Sequence, residues 1–242
     1  MDPELSQLVL AMDTSGDVCS VAAMRDGRLV SEHIFRHGMH LSERLLDHVT
    51  AVLGDANASP ADVALYGVGI GPGSFTGTRI GVMTLKTFAS LLNRPIYGID
   101  SLAAMAQSYS GVQKTLIMPM YPCRAGSVYA GLYDVSSGHP VDIQVPAALS
   151  IADLAAAAVS SSYTSLLFCG IGSVKYRDEM EAALGVHRDR AVFGGALFPR
   201  SSDIAAMAYY RSSAGIEADD PLALVPHYVS PPPITMPKTA VK

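Results

Sequence analysis

Leu8-Val9-Leu10-Ala11-Met12-Asp13-Thr14-Ser15-Gly16 places five apolar residues directly before turn chemistry, the pattern of a short buried strand that ends in a tight turn. Val18 to Met24 reads as a second strand, and Asp26-Gly27 signals a hairpin into a third, Arg28 to Phe35. Leu41, Leu45, Val49 and Val52 then recur at helical spacing, with Glu43, Arg44, Asp47 and His48 at polar positions between them. Asn57-Ala58-Ser59-Pro60 opens a short helical turn. A strand from Ala64 to Ile70, a glycine-rich turn, a helix to about Leu92 and a strand from Pro95 to Ile99 follow. Ser101 is placed to cap the next helix.

The second half repeats this plan. Leu116 to Met120, Ser127 to Asp134 and Val141 to Val145 read as strands, with Ser136-Ser137-Gly138 as a turn. A helix (Ile151 to Val159), a strand (Leu166 to Gly170), a helix (Val174 to Leu184) and a late helix (Asp203 to Ser213) complete it. The order βββαβα thus occurs twice, about 105–110 residues apart, which is the signature of internal duplication. The expected fold class is α/β: two duplicated βββαβα lobes of the actin-like ATPase, ribonuclease H-like type. Residues 1–105 form the first lobe. Residues 106–219 form a smaller second lobe, whose late helix could pack back on the first, and residues 220–242 form a proline-rich tail with Pro226 and Pro231-Pro232-Pro233.

Of the 242 residues, 49% are hydrophobic and only 16% charged, against roughly 25% charged in an average domain. So sparse a charged surface points to a sizeable partner interface. The net charge of −5 and the lack of a Lys/Arg cluster argue against direct gripping of nucleic acid, which needs a basic face. Cys19, Cys123 and Cys169 form no C-x-x-C pair and suit a reducing compartment. The start, Met1-Asp2-Pro3-Glu4, lacks the basic opening of a secretory signal. The uncharged run 154–174 is broken by Ser160, Ser161, Ser162, Thr164 and Ser165, so it reads as helix, turn and strand rather than a membrane span. The expectation is a cytoplasmic protein with no membrane partner.

The most specific signal is Gly71-Pro72-Gly73-Ser74-Phe75-Thr76-Gly77-Thr78-Arg79-Ile80-Gly81, between a strand and a helix. Its backbone N–H groups could meet an anion at the helix start, yet it matches neither the P-loop, the dinucleotide fingerprint nor the nucleophile elbow. Gly77 and Gly81 lie four apart on one helix face with Leu85 and Phe88. Such a small-residue notch lets another element approach closely. Two readings stand: packing on this chain's own sheet, or, favoured here, docking of a foreign helix. The second predicts that Gly81→Arg abolishes pairing and leaves the monomer folded.

The run Gly71 to Gly81 resembles the signature of the TsaB (YeaZ) family, accessory subunits of the bacterial complex that makes threonylcarbamoyladenosine next to the tRNA anticodon. Leu10-Ala11-Met12-Asp13-Thr14-Ser15, His40-Leu41-Ser42-Glu43-Arg44-Leu45-Leu46 and Pro95 to Leu102 resemble the family's opening strand, first helix and the close of its first lobe. The resemblance covers most of residues 7–135 and thins afterwards. It implies a non-catalytic scaffold that pairs with a TsaD-like catalytic subunit through first-lobe helices, a pair then joined by a TsaE-like ATPase. On this chain the interface falls on Leu41, Leu45, His48, Val49, Gly77, Gly81, Leu85 and Phe88. tRNA would be met only through the complex, a homodimer could use the same patch when the partner is absent, and ATP or ADP would bind only at the partner seam.

Two departures stand out: Pro122-Cys123-Arg124 where the family carries Asp-Ala-Arg, and Tyr228-Val229-Ser230 where it carries Tyr-Leu-Arg. Asp13 occupies the place where actin-like ATPases keep a metal- and phosphate-organising carboxylate, so Asp13, Thr14, Ser74 and Thr76 are the candidates for binding a nucleotide or anion, with a structural turn the favoured role of Asp13-Thr14-Ser15. Phosphoryl transfer would also need a second acid and a phosphate loop in the other lobe, which Pro122-Cys123 does not offer. The alternative function is a stand-alone small-molecule kinase of the actin-like group; a metallopeptidase is a third, lacking any ligand set. His33-x-x-x-His37 has zinc-like spacing, but on a strand those residues would sit about 13 Å apart. No catalytic residue, metal ligand or intrinsic cofactor is expected.

Overall fold

A computed structural model describes residues 7–36, 41–123 and 126–229. His37, His40, Arg124, Ser230 and the Pro231-Pro232-Pro233 run lie outside the described residues. The first sheet contains β1 (Leu8–Asp13), β2 (Val18–Arg25), β3 (Arg28–Arg36), β4 (Val63–Gly69) and β5 (Ile96–Ile99) in the order β3-β2-β1-β4-β5. β1 is antiparallel to β2 and parallel to β4, and β4 is parallel to β5. Asp26 and Gly27 both take positive φ, 50° and 75°, as a two-residue hairpin between right-twisted strands requires. The second sheet, β6 (Thr115–Pro122), β7 (Ser127–Asp134), β8 (Val141–Ser150), β9 (Ser165–Cys169) and β10 (Ala191–Phe193), has the equivalent order β8-β7-β6-β9-β10. The duplication read from the sequence is therefore complete, down to a fifth strand that its three residues were too short to announce.

Every residue of β1 is buried, because helices cover both faces of its sheet. On one side lie α1 (Leu41–Asp55) and α2 (Phe75–Leu92), whose Leu45, Val49, Val52, Val82, Leu85 and Ala89 pack with Leu10, Met12, Tyr66 and Val68. The other side is covered by a helix from the far end of the chain, α7 (Ser201–Ser213): Ile204, Ala205 and Ala208 pack with Val9, Ala11 and Leu65. Gly67 permits this contact, since a Cβ there would lie 3.0 Å from Ala208 Cβ. The start of α7 is held by a strand. Glu32 of β3 accepts from the Ser202 amide at 3.0 Å and pairs with Arg200, a carboxylate placed at the positive end of the helix.

α3 (Ser101–Gln107) follows β5 yet packs on the second sheet, with Leu102, Met105 and Ala106 against Ile117, Tyr133 and Cys169. α4 (Ile151–Ser160) and α6 (Arg177–Leu184) cover that sheet's opposite face. Each lobe's closing helix thus lies on the other lobe's sheet, and a boundary at residue 105 falls inside α3. Two local expectations change. Asp100, not Ser101, caps α3, accepting from the amides of Leu102 and Ala103 at 2.8 and 3.0 Å. The helix expected from Val174 to Leu184 is two pieces, α5 (Ile171–Lys175) and α6, parted at Tyr176.

After α7 the chain runs back over the first lobe. The Asp219 amide donates to Ile96 O at 2.9 Å and its carboxylate accepts from the Gly98 amide at 2.8 Å, closing the free edge of β5. No helix among the described residues is long and apolar enough to cross a membrane.

Candidate functional site: a sealed turn and an apolar groove

Two places could carry function: the turn after β1, and the outer surface of α1 and α2. Asp13 ends β1 and is fully buried. Its Oδ1 accepts from the Ser15 amide and hydroxyl at 2.8 and 2.7 Å, and its Oδ2 accepts from the Ser101 hydroxyl at 2.6 Å. Burial raises its pKa against the pull of these donors. Gly69 of β4 lies so close that a Cβ there would come 1.9 Å from Asp13 Oδ2. Tyr121 of the second lobe overlies the same turn, its Oη 3.0 Å from where a Gly16 Cβ would stand. The carboxylate ties β1 to the start of α3, and no face of it is turned to solvent.

The remaining anion candidates are also committed to the fold. The Thr14 hydroxyl donates to Gly77 O at 2.7 Å. Ser74 caps α2, its Oγ accepting from the Gly77 amide at 3.2 Å while its own amide donates to Ser15 O at 2.6 Å. Only Thr76 is exposed. Asp13 and Thr14 thus hold the turn after β1 together, the structural role favoured for that segment, and Ser74 caps α2. No group of three or more His, Cys, Asp or Glu among the described residues is arranged to hold a metal. His33, on β3, instead faces Asp55 at 3.3 Å.

The glycine notch is corrected. A Cβ on Gly77 would meet Thr14 O at 2.2 Å, and one on Gly81 would meet Thr14 Oγ1 at 2.2 Å. The small residues let α2 lie directly on the turn after β1, so they serve internal packing, and Gly81→Arg would break the fold rather than spare it. Leu41, Leu45, Val49 and Leu85 are likewise buried in this chain. His48 stacks on Phe35 of β3, ring centroids 3.7 Å apart, and burial lowers its pKa.

What α1 and α2 present outward is a different set. Ser42, Leu46, Ile80, Met83, Thr84, Thr87 and Leu91 line an open apolar groove of about 400 Å³, with Leu45 and Phe88 also contributing. Leu46, Met83 and Leu91 are 50%, 51% and 78% exposed. Of the residues expected at a partner interface, Leu45 and Phe88 border this groove, while Leu41, Val49, Gly77, Gly81 and Leu85 are buried inside the chain. The outward residues Met83, Thr87 and Leu91 recur at four-residue steps, off the stripe that Val82, Leu85 and Ala89 bury.

Two mixed α/β lobes with exchanged closing helices define a protein of the actin-like ATPase fold. The Thermus thermophilus ROK hexokinase shares that fold alone, at a TM-score of 0.53 and 12% identity over 86% of this chain and all of the hexokinase chain. A family model described as "TsaD: tRNA N6-adenosine threonylcarbamoyltransferase" matches residues 37–207. The Bacillus subtilis tRNA threonylcarbamoyladenosine biosynthesis protein TsaB is 31% identical over 91% of this chain and 93% of its own length. Its Escherichia coli counterpart is 33% identical over 52% of this chain and 54% of its length. The YeaZ structure from Pseudomonas aeruginosa superposes with a TM-score of 0.78 at 27% identity, covering 92% of this chain and 99% of that one. The chain belongs to the TsaB (YeaZ) family.

Proposed function

We propose that this chain serves threonylcarbamoyladenosine formation on tRNA as an accessory subunit that pairs with a TsaD-like catalytic subunit and performs no transfer of its own. The observation that carries this reading is the groove between α1 and α2. Three large apolar side chains stand half or more exposed there, in a protein with few charges to mask them. Exposed apolar surface gathered in one groove is the mark of a docking site for an amphipathic partner face. The sealed Asp13 supports the non-catalytic part, because a carboxylate held by Ser15 and Ser101 and wholly shielded from solvent offers no open face to a ligand.

In this reading ATP or ADP binds only at the seam with the partner, a TsaE-like ATPase joins the pair, and tRNA is met through the complex in the cytoplasm. The same groove allows a homodimer when the partner is missing. Burying a leucine side chain stabilises an interface by about 1.5–3 kcal/mol, so Leu91→Asp should weaken pairing at least tenfold. Size-exclusion chromatography with light scattering, with and without a TsaD-like subunit, tests this. A mixed complex that Leu91→Asp disrupts is the expected result. Absence of any complex, or steady ATP turnover by the purified chain, would overturn the reading in favour of a stand-alone kinase.

A further inference from the structure

We propose that His227 is a proton-operated latch: its imidazolium binds the spare carboxylate oxygen of Asp100 and holds the end of the strap after α7, residues 216–229, against the joint between the lobes. Neutral imidazole lets that end lift. The inference concerns this chain alone and stands whether or not the pairing proposed above does. Asp100 sits where β5 hands over to α3. Its Oδ1 is fully used, accepting from the Leu102 and Ala103 amides and from the Tyr133 hydroxyl of β7 at 3.3 Å. Oδ2 is shielded from solvent and has no hydrogen-bond partner among the described residues. His227 Nδ1 faces it at 3.6 Å, so a shift of about 0.5 Å makes a bond of ordinary length.

The surroundings leave Asp100 as the charge that His227 faces. The backbone of His227 seats on the turn after β4, its amide donating to Ile70 O at 2.7 Å and its carbonyl oxygen 3.4 Å from where a Gly71 Cβ would stand; neither residue is charged. Asp13 and Asp142 stand behind Asp100, their pKa values raised first by burial and then by its charge. On the strap itself, Asp219 and Asp220 are spent on the amides of Gly98 and Leu222, and Tyr228 turns to the Phe75 ring. The contact with Asp100 accordingly raises the His227 pKa above 6.5, against the effect of burial.

The strap's other anchors are of a different kind. Lys86 Nζ donates to Leu222 O at 3.3 Å and to Leu224 O at 3.0 Å, and Asp219 closes the β5 edge. A lysine and an aspartate are residue types that keep their charge between about pH 6 and 9, whereas a histidine does not. Loss of the His227 proton therefore frees the end of the strap and leaves its root in place. The lifted end bares the Gly71 turn, whose amide and carbonyl both bond Ser101, the residue that seals Asp13. The sign follows from linkage: the latch is at full strength below 6.5, the ordinary histidine value, and is lost as pH rises through the raised value.

Two measurements on the full chain from about pH 6 to 9 test this: NMR titration of the His227 ring, and thermolysin cleavage around Leu222 and Val225, which are 80% and 65% exposed. Cleavage rates are divided by those of His227→Gln at the same pH, which cancels the protease's own pH profile. In the wild type the ring should titrate above 6.5, and the relative cleavage rate should rise with pH by about threefold or more. Asp100→Asn, which keeps an oxygen for the α3 amides, should bring the ring back to about 6.5 or below and flatten the relative rate. A wild-type ring that titrates at 6.5 or below, or a relative rate that does not change with pH, overturns the latch. So does a rise that persists in Asp100→Asn, since another group would then drive it. Should Asp100→Asn fail to fold, the wild-type titration and the ratio to His227→Gln decide alone. No partner takes part in these measurements, so their outcome is separate from that of the pairing.

Discussion

Gly81→Ala adds one methyl group inside α2, and elsewhere in a helix that change stabilises by about 1 kcal/mol. Here the sign reverses. The new Cβ would lie 2.2 Å from Thr14 Oγ1, with Thr14 Cβ and Cγ2 at 3.4 and 3.5 Å behind it. Thr14 is buried and β-branched, so its hydroxyl cannot swing aside without driving another branch into packed neighbours. Overpacking of this kind costs about 1–3 kcal/mol, and loss of the 2.7 Å bond from Thr14 to Gly77 O adds about 1 kcal/mol. Set against the gain in helix propensity, the net loss is about 2 kcal/mol. Urea denaturation of Gly81→Ala, Thr14→Ala and the double variant measures it. The double variant should recover part of the clash, giving a coupling of about 1 kcal/mol or more. A Gly81→Ala protein as stable as the wild type would refute the contact between α2 and the turn after β1.

Two further outcomes follow from buried and half-buried groups. Burial raises Asp203 to about 6, while a bond from the Ser108 hydroxyl and the charge of Arg200 pull the other way. The folded state therefore holds this proton more tightly than the unfolded chain, and the resulting stability is full below the ordinary carboxylate range and lost as pH rises through about 6. Asp203→Asn should accordingly gain on the wild type by about 2 kcal/mol between pH 4.5 and 7.5; a stability difference that does not change with pH would contradict this environment. Cys19 and Cys169 are fully buried, with burial pushing the Cys169 thiol up to about 12, whereas Cys123 is only partly buried. Mass spectrometry after brief alkylation should find Cys123 modified first, and Cys123→Ser should leave the folded protein nearly unlabelled.

The two-lobed plan was legible because it is written in local patterns. Leu8 to Met12 announces a strand on both sides of which something must pack, and Asp26-Gly27 fixes the hairpin by its backbone preference alone. The break at Tyr176 and the short β10 were not legible, since a one-residue interruption and a three-residue strand leave too little periodicity to read. At the candidate site the failure was one of direction. Gly77 and Gly81 correctly signalled a close approach, but spacing along a helix says only that a face is small, not what lies against it. That neighbour is Thr14, 63 positions before Gly77, so only the folded chain reveals which face of α2 is left over. The place of Asp13 after the first strand fits either a turn or a ligand-binding acid, and the Ser101 hydroxyl that holds it comes from 88 residues further on.

The seat of α7 on the first sheet imposes an order on events during synthesis. By the time Ile99 closes the strands of that sheet, the ribosome still has to make residues 100–213 before Ile204, Ala205 and Ala208 can cover Val9, Ala11 and Leu65. At about 5–20 residues per second that delay is roughly 6–23 s. Through this interval the nascent first lobe shows a bare apolar sheet face, and helper proteins or the emerging second lobe must shield it until its last helix arrives.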